Sequence, residues 1–143
     1  MKSLLLLMIF TASICLVGCQ PDFEAMGQTI VKQYIDVPQS AQVFNAYYYG
    51  EGQFRGVWVK FNLPETYVDS FLSTTCFNSL KELSTQQFSF TMNQLPGFTP
   101  NWWAPIESNL SVEGSCTDQE KGIGLSIQLN LAKITSVYMY IAI

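Results

Sequence analysis

The spacing of hydrophobic residues changes several times along the chain, and each spacing predicts a different secondary-structure element. Near the start, large apolar residues recur at intervals of three and four, which is typical of one face of an amphipathic helix. These residues are Phe23, Met26, Ile30 and Tyr34. Two runs rich in aromatic and β-branched residues follow, VFNAYYY and FRGVWVKFNL, with Gly50-Glu51-Gly52 between them. A glycine-rich spacer between two such runs predicts a β-hairpin.

The second half of the chain contains both helical and strand-like spacings. Pro64 followed by an acidic residue is typical of a helix start, and the spacing after it predicts a helix near 64–76 with Cys76 on its buried face. QFSFTM predicts a short strand, whereas the prolines of LPGFTPNWWAP predict a loop. Alternation over 123–131 and 137–143 predicts two half-buried strands with a turn near 133–135.

These elements together predict an α+β fold. We expect a single two-layer domain, in which an antiparallel sheet of about four to six strands carries one or two helices packed on one face. The chain has no internal repeat and no second domain is indicated. The globular domain is therefore expected to span residues 23–143.

The first residues have a different character. Lys2 supplies one positive charge and residues 4–17 are almost wholly apolar, which describes a secretory signal peptide. The apolar run is shorter than the roughly 20 residues that a membrane-spanning helix needs. Its end, Leu16-Val17-Gly18-Cys19, resembles the lipobox of bacterial lipoproteins, in which a lipid is attached to the cysteine and the chain is cut in front of it. An ordinary signal with a coincidental cysteine and an uncleaved anchor are the alternatives.

This resemblance implies that residues 1–18 are a cleaved signal peptide, that Cys19 carries acyl chains such as palmitate, and that residues 19–22 form a tether. Several acyl chains give stable anchoring to a bilayer. Gln20 after the cysteine, in place of Asp, implies the periplasmic side of the outer membrane in a host with two membranes. The order of LP, WWAP and VYMYI also resembles small uncharacterised bacterial lipoproteins, which implies no activity.

Charge narrows the choice of partners. The chain has 7 Lys and Arg residues against 11 Asp and Glu residues, and removal of residues 1–18, which include Lys2, leaves a net charge of −5. Binding to nucleic acid and to anionic lipid both depend on positive charge, so neither is expected. A basic protein partner suits an acidic domain better.

The cysteines divide into two groups. Cys15 leaves with the signal peptide and Cys19 takes the lipid, so Cys76 and Cys116 remain. Because an exported domain meets oxidising conditions, we predict a disulfide between these two residues. Two buried free thiols are the alternative, since one possible pairing does not fix its geometry.

The chain contains no histidine, which excludes Ser-His and Cys-His nucleophile pairs within it and the zinc sites that use imidazole. A catalytic carboxylate pair is conceivable, but its candidates lie in polar stretches where a solvated charge is the usual role. Those candidates are Glu107, Glu113, Asp118 and Glu120. The sequence therefore predicts a non-catalytic protein with no metal and no cofactor.

Aromatic residues form the candidate binding surface, which comprises Trp102, Trp103, Tyr48 and Trp58. Two adjacent tryptophans in a loop do not easily face one core, so we expect at least one at the surface, where it suits a protein partner or a sugar. The alternative is that both tryptophans cap an open end of the core. The expected function is a membrane-anchored, non-catalytic interaction domain in assembly, immunity or inhibition. Binding of cell-wall glycan or a small ligand is the second hypothesis.

Overall fold

A computed structural model describes residues 21–83, 99–105 and 110–143 of the chain. Five strands form one antiparallel sheet in the order β1-β2-β5-β4-β3. They are β1 Gln42–Glu51, β2 Phe54–Pro64, β3 Ser111–Asp118, β4 Ile123–Asn130 and β5 Ile134–Ala142. Helix α1, Phe23–Tyr34, and the short helix α2, Val68–Leu72, pack against the sheet. The predicted α+β fold is confirmed.

One face of the sheet forms the main core together with both helices. Strand alternation directs every second residue of β2, β4 and β5 to this face. Among them, Val59, Phe61, Leu129 and Met139 are completely buried. Val31 of α1 belongs to the same hydrophobic cluster, as does Phe71 of α2, whose ring meets that of Phe61 edge-on at 5.3 Å.

Helix α1 lies very close to strand β1. The Asp22 carboxylate caps the helix by accepting hydrogen bonds from the backbone N–H groups of Glu24 and Ala25, at 3.1 and 2.9 Å. Gly27 faces the strand, and a Cβ there would lie 2.8 Å from the backbone nitrogen of Tyr47. The missing side chain therefore sets how closely the helix approaches the sheet.

The helix forms where predicted, but its buried face differs from the predicted stripe. Gly27 and Val31 are its buried residues, whereas Phe23 and Met26 are 36% and 39% exposed. Ile30 and Tyr34 are partly buried against the main core. The close approach at Gly27 rotates the helix so that the apolar stripe covers the edge of the core and continues past it at the N-terminal end.

The helix predicted near 64–76 is shorter. Pro64 ends β2, a 3-10 turn spans Glu65–Tyr67, and α2 ends at Leu72. The hydroxyls of Thr74 and Thr75 donate to the carbonyls of Phe71 and Leu72, at 2.8 and 2.7 Å. Threonine side chains that bond nearby carbonyls compete with helical hydrogen bonds, so this run ends the helix. Cys76 therefore lies in the turn after α2.

Strand β3 was not predicted, because its inward-facing positions are not a row of large apolar residues. They hold Val112, Gly114 and Cys116. A Cβ on Gly114 would lie 2.7 Å from Leu83 Cδ2, so the glycine leaves space for a side chain that packs over the strand. Several predictions concern residues that the structure does not describe. They are the strand QFSFTM, residues 95–98 of the proline-rich loop, Glu107 and residues 1–20.

The predicted disulfide between Cys76 and Cys116 is present, with Cα atoms 6.0 Å apart. It joins the turn after α2 to the edge strand β3. The bond thus links the α2 segment, which covers the main core, to β3, which pairs with only one other strand among those described.

We expect replacement of both cysteines by alanine to lower the free energy of unfolding. The bond closes a loop with a sequence separation of 40, for which the loss of unfolded-state entropy stabilises the fold by about 4 kcal/mol. Urea unfolding followed by tryptophan fluorescence measures the difference. Reductant should destabilise the wild-type chain to a similar degree and leave the double variant unchanged; equal midpoints for the two chains would contradict the prediction.

Candidate functional site

The face of the sheet opposite the main core carries a second group of aromatic residues, which we call the aromatic cluster. Its buried members are Trp58, Trp103, Tyr138 and Tyr140, and Tyr49 and Trp102 pack against them partly buried. Three of the buried rings come from the central strands β2 and β5. These strands are therefore covered on both faces.

The rings of the aromatic cluster meet edge to face. Trp58 contacts Tyr140 with ring centroids 5.0 Å apart, and Tyr49 with centroids 5.6 Å apart. Trp103 meets Tyr138 at 5.5 Å with perpendicular planes. This arrangement matches the electrostatic preference of aromatic pairs, so it fixes the positions of the rings as well as burying them.

A tight turn delivers the two loop tryptophans to this face. The N–H of Trp103 donates to the carbonyl of Pro100 at 2.9 Å. Lys60 Nζ, on β2, lies 3.4 Å from the Trp102 carbonyl and 5.1 Å from the centre of the Tyr138 ring. The ammonium group thus links the loop to the sheet by a hydrogen bond and a cation–π contact.

Trp102 and Trp103 have different environments. Trp103 is 8% exposed and inserted into the aromatic cluster, whereas Trp102 is only partly buried, with its ring 6.1 Å from that of Trp103. The sequence left open whether these tryptophans are exposed or packed, and the structure shows one of each. Trp103 packs, and Trp102 keeps part of its surface accessible.

The structure brings three of the four predicted surface residues together. Trp58 belongs to the aromatic cluster but is completely buried, so the prediction that it contributes to a binding surface is wrong. Its indole Nε1 has no hydrogen-bond partner within the described residues. Tyr48 lies on the opposite face, packed against the main core. The predicted grouping is therefore wrong for Tyr48 because neighbouring residues of a strand point to opposite faces.

Tyr49, and not Tyr48, is the β1 tyrosine that packs against the aromatic cluster. The register of β1 against β2 places it there, because Tyr49 pairs with Gly56, which lies two residues before Trp58 and on the same face. Its hydroxyl donates to the Glu51 carboxylate, and this hydrogen bond is the main cause of a pKa raised above the usual 10.0. Burial likewise raises the pKa of Tyr140.

Beside the aromatic half, the same face has a polar half on β3 and β4. Asn130 Oδ1 accepts from the Ser111 hydroxyl at 2.8 Å and from Gln128 Nε2 at 3.2 Å. The hydroxyls of Ser115 and Ser126 lie 3.0 Å apart. Rings therefore lie next to rows of hydroxyl and amide groups across one face.

The candidate carboxylates that the structure describes are Glu113, Asp118 and Glu120. Glu113 and Asp118 are separated by an odd number of positions on β3, so alternation directs them to opposite faces. Asp118 accepts from the Lys121 backbone N–H at 3.0 Å and lies 3.6 Å from the Lys121 ammonium, while Glu120 is exposed. Within residues 21–83, 99–105 and 110–143, no group of three potential His, Cys, Asp or Glu ligands could hold a metal ion.

A small cavity lies on the other side of the sheet, between the segment after α1 and helix α2. Its volume is about 210 Å³, and its lining includes Asp36, Tyr67, Ser70 and Phe71. Ligand pockets usually measure about 300–1,000 Å³. This cavity therefore suits a single side chain or a very small molecule.

Comparison with known proteins matched no family model, no curated protein and no solved structure. Neither α1 nor α2, the α-helices of the described part of the chain, is long and apolar enough to cross a bilayer. The interpretation of the site therefore depends on its own geometry.

The two loop tryptophans should contribute very differently to stability. Trp103→Ala removes a buried ring and should lower the free energy of unfolding by about 3–5 kcal/mol. Trp102→Ala removes a ring at the rim and should cost less than about 1 kcal/mol. Urea unfolding of both variants, followed by far-UV circular dichroism, measures the two losses. Similar losses for the two variants would contradict the division of roles.

Proposed function

We propose that the protein is an envelope lipoprotein, held to the membrane by acyl chains on Cys19, whose domain binds another envelope protein without catalysing a reaction. The signal-like opening run and its lipobox-like end support the anchor. Assembly, immunity and inhibition are the roles that such a tethered domain suits. The periplasmic side of the outer membrane is the proposed location in a host with two membranes.

The observation that carries the proposal is the position of Trp102. Its ring is partly exposed, but two contacts hold it in place. The neighbouring Trp103 is embedded in the aromatic cluster, and Lys60 donates a hydrogen bond to the Trp102 carbonyl. An aromatic side chain already held in place loses little conformational entropy on binding, which favours affinity. Tryptophan is also the type of residue that most often dominates the binding energy of protein interfaces.

Charge supports a basic partner. The mature chain has a net charge of −5, and acidic Glu51 lies at the edge of the cluster beside Tyr49. The nearby cation, Lys60, already contacts a carbonyl and a ring. Complementary charge mainly accelerates association and excludes wrong partners.

Affinity capture with matched variants tests this surface. The full-length chain, tagged and purified from its native envelope, is used as wild type, as Trp102→Ala and as Tyr67→Ala. Tyr67 is 48% exposed and lies outside the aromatic cluster, so its variant controls for the loss of any surface ring. A protein retained by wild type and Tyr67→Ala is then titrated against all three chains.

We expect Trp102→Ala to weaken that binding at least tenfold, because loss of a central aromatic residue costs on the order of 2 kcal/mol or more. Rising salt concentration should also weaken it, because the partner is basic. Equal affinity of Trp102→Ala and Tyr67→Ala would rule out this surface.

Glycan binding is the second candidate, and the polar half of the face favours it. The Gln128 amide is buried, but Ser115 on the same face is exposed. An exposed hydroxyl beside ring surface is suited to a sugar, which offers both C–H surfaces and hydroxyls. Cosedimentation with purified cell wall that depends on Trp102 and resists salt would favour this candidate over a basic protein. Absence of cosedimentation at micromolar protein would remove it.

A further inference from the structure

Helix α1 has an apolar flank that the main core covers only in part, at Ile30. Phe23 and Met26 are 36% and 39% exposed, although each belongs to the stripe that drives helix formation. Met26, Ala25, Thr29 and Ile30 line a shallow, largely apolar groove along the outer side of the helix. The core takes Gly27 and Val31 instead. The flank therefore offers apolar surface to an occupant other than the main core.

The short connection to Cys19 indicates what that occupant is. Three residues, 20–22, separate Cys19 from Phe23. Even when this segment is fully extended, the Cα atoms of Cys19 and Phe23 are therefore at most about 14 Å apart. The Asp22 cap fixes the start of α1 immediately after this segment. The headgroup layer on each side of a bilayer is about 5–8 Å thick. A lipid on Cys19 therefore keeps the first turns of α1 at or near headgroup level.

We propose that the apolar flank of α1, formed by Phe23, Met26 and Ile30 with Ala25 and Thr29, rests in the interfacial region of the bilayer that holds Cys19. This inference rests on the proposed lipidation of Cys19. The tether and the helix then act as two linked contacts, so the second binds at a high effective concentration. The domain is thus held against the membrane in a defined orientation.

The charges on the helix are consistent with this occupant. Exposed Glu24, Gln28 and Lys32 lie on the flank away from the apolar groove. Asp22 and Glu24 precede a single lysine in α1, so attraction to anionic lipid contributes little. Contact with a zwitterionic surface through buried apolar area fits these residues better.

The same contact orients the rest of the domain. Gly27 faces β1, and the Phe23 ring lies 5.6 Å from that of Tyr47 on this strand. Strand β1 is one edge of the sheet and β3 is the other. At the other end of α1, the Tyr34 carbonyl accepts a hydrogen bond from Lys121 Nζ, in the turn between β3 and β4, at 2.8 Å. The proposed contact therefore places the N-terminal half of α1 and the adjoining part of β1 nearest the bilayer.

A fluorescent probe at three positions tests the contact in the lipidated, full-length mature protein. Met26→Cys, Gln28→Cys and Ala132→Cys each introduce one free thiol, since Cys76 and Cys116 are bonded to each other and acylation occupies Cys19. Residue 26 lies on the apolar flank, residue 28 on the polar flank of the same helix, and residue 132 in the turn between β4 and β5. Each thiol is labelled with nitrobenzoxadiazole, and the proteins are reconstituted into phosphatidylcholine vesicles.

We expect phosphatidylcholine brominated near the headgroup to quench the probe at residue 26 several-fold more strongly than the probes at residues 28 and 132. Equal quenching at the three positions would overturn the proposal. A blue-shifted probe at residue 26 that bromine does not quench would also overturn it and would indicate a second protein chain on the groove.

The intact mass of the purified chain separates this inference from the proposed function. Acyl mass on Cys19 together with an unquenched probe at residue 26 would leave the anchor standing and remove only the helix contact. A chain without acyl mass would remove both, because no tether would then hold α1 at the bilayer.

Discussion

The pairing of β2 with β5 is the interaction on which the rest of the structure depends. The two strands pair without interruption from Gly56 opposite Ala142 to Pro64 opposite Ile134. Val59 and Met139 face the main core, while Trp58 and Tyr140 face the aromatic cluster. Because apolar side chains cover both faces around Trp58 and Tyr140, the backbone hydrogen bonds in this part of the pair lie in a dry environment, where they are costly to break.

The other elements attach to this central pair from two sides. Helix α1 reaches the sheet through β1 and β2, and the tryptophan loop reaches it through Lys60 and Tyr138. This packing leaves two apolar surfaces partly exposed, one at Trp102 and one on the flank of α1. The proposed functions assign a protein partner to the first and the bilayer to the second. Both assignments follow from side chains that packing holds in place but does not fully bury.

Several elements could be predicted because large residues alternate in them. The hairpin of β1 and β2, strand β4 and the disulfide followed from the sequence, and α1 followed from its periodicity. Strand β5 also followed, but it begins at Ile134, within the turn predicted near 133–135. The buried face of α1 did not follow, because it is set by Gly27, a residue that contributes by lacking a side chain. Strand β3 was missed for a related reason, since Gly114 and a bonded cysteine stand where alternation needs large apolar residues.

The candidate site could be predicted by residue type but not by arrangement. Trp58, Trp102 and Trp103 were identified, yet their grouping depends on strand register and on the turn at Pro100. Register also decides between Tyr48 and Tyr49, which are neighbours in sequence and lie on opposite faces. Amino-acid composition does not reveal strand register, and a shift of one residue exchanges the two faces of a strand.

Native-state hydrogen exchange tests the role of the central pair most directly. We expect the amide protons of Val59 and Met139 to exchange only through global unfolding, with an opening free energy equal to that from urea denaturation. Amides of the edge strands, such as those of Asn45 and Thr117, should exchange through smaller local openings. Opening free energies for Val59 and Met139 that fall below the global value, or match those of the edge strands, would contradict a structure built on β2 and β5.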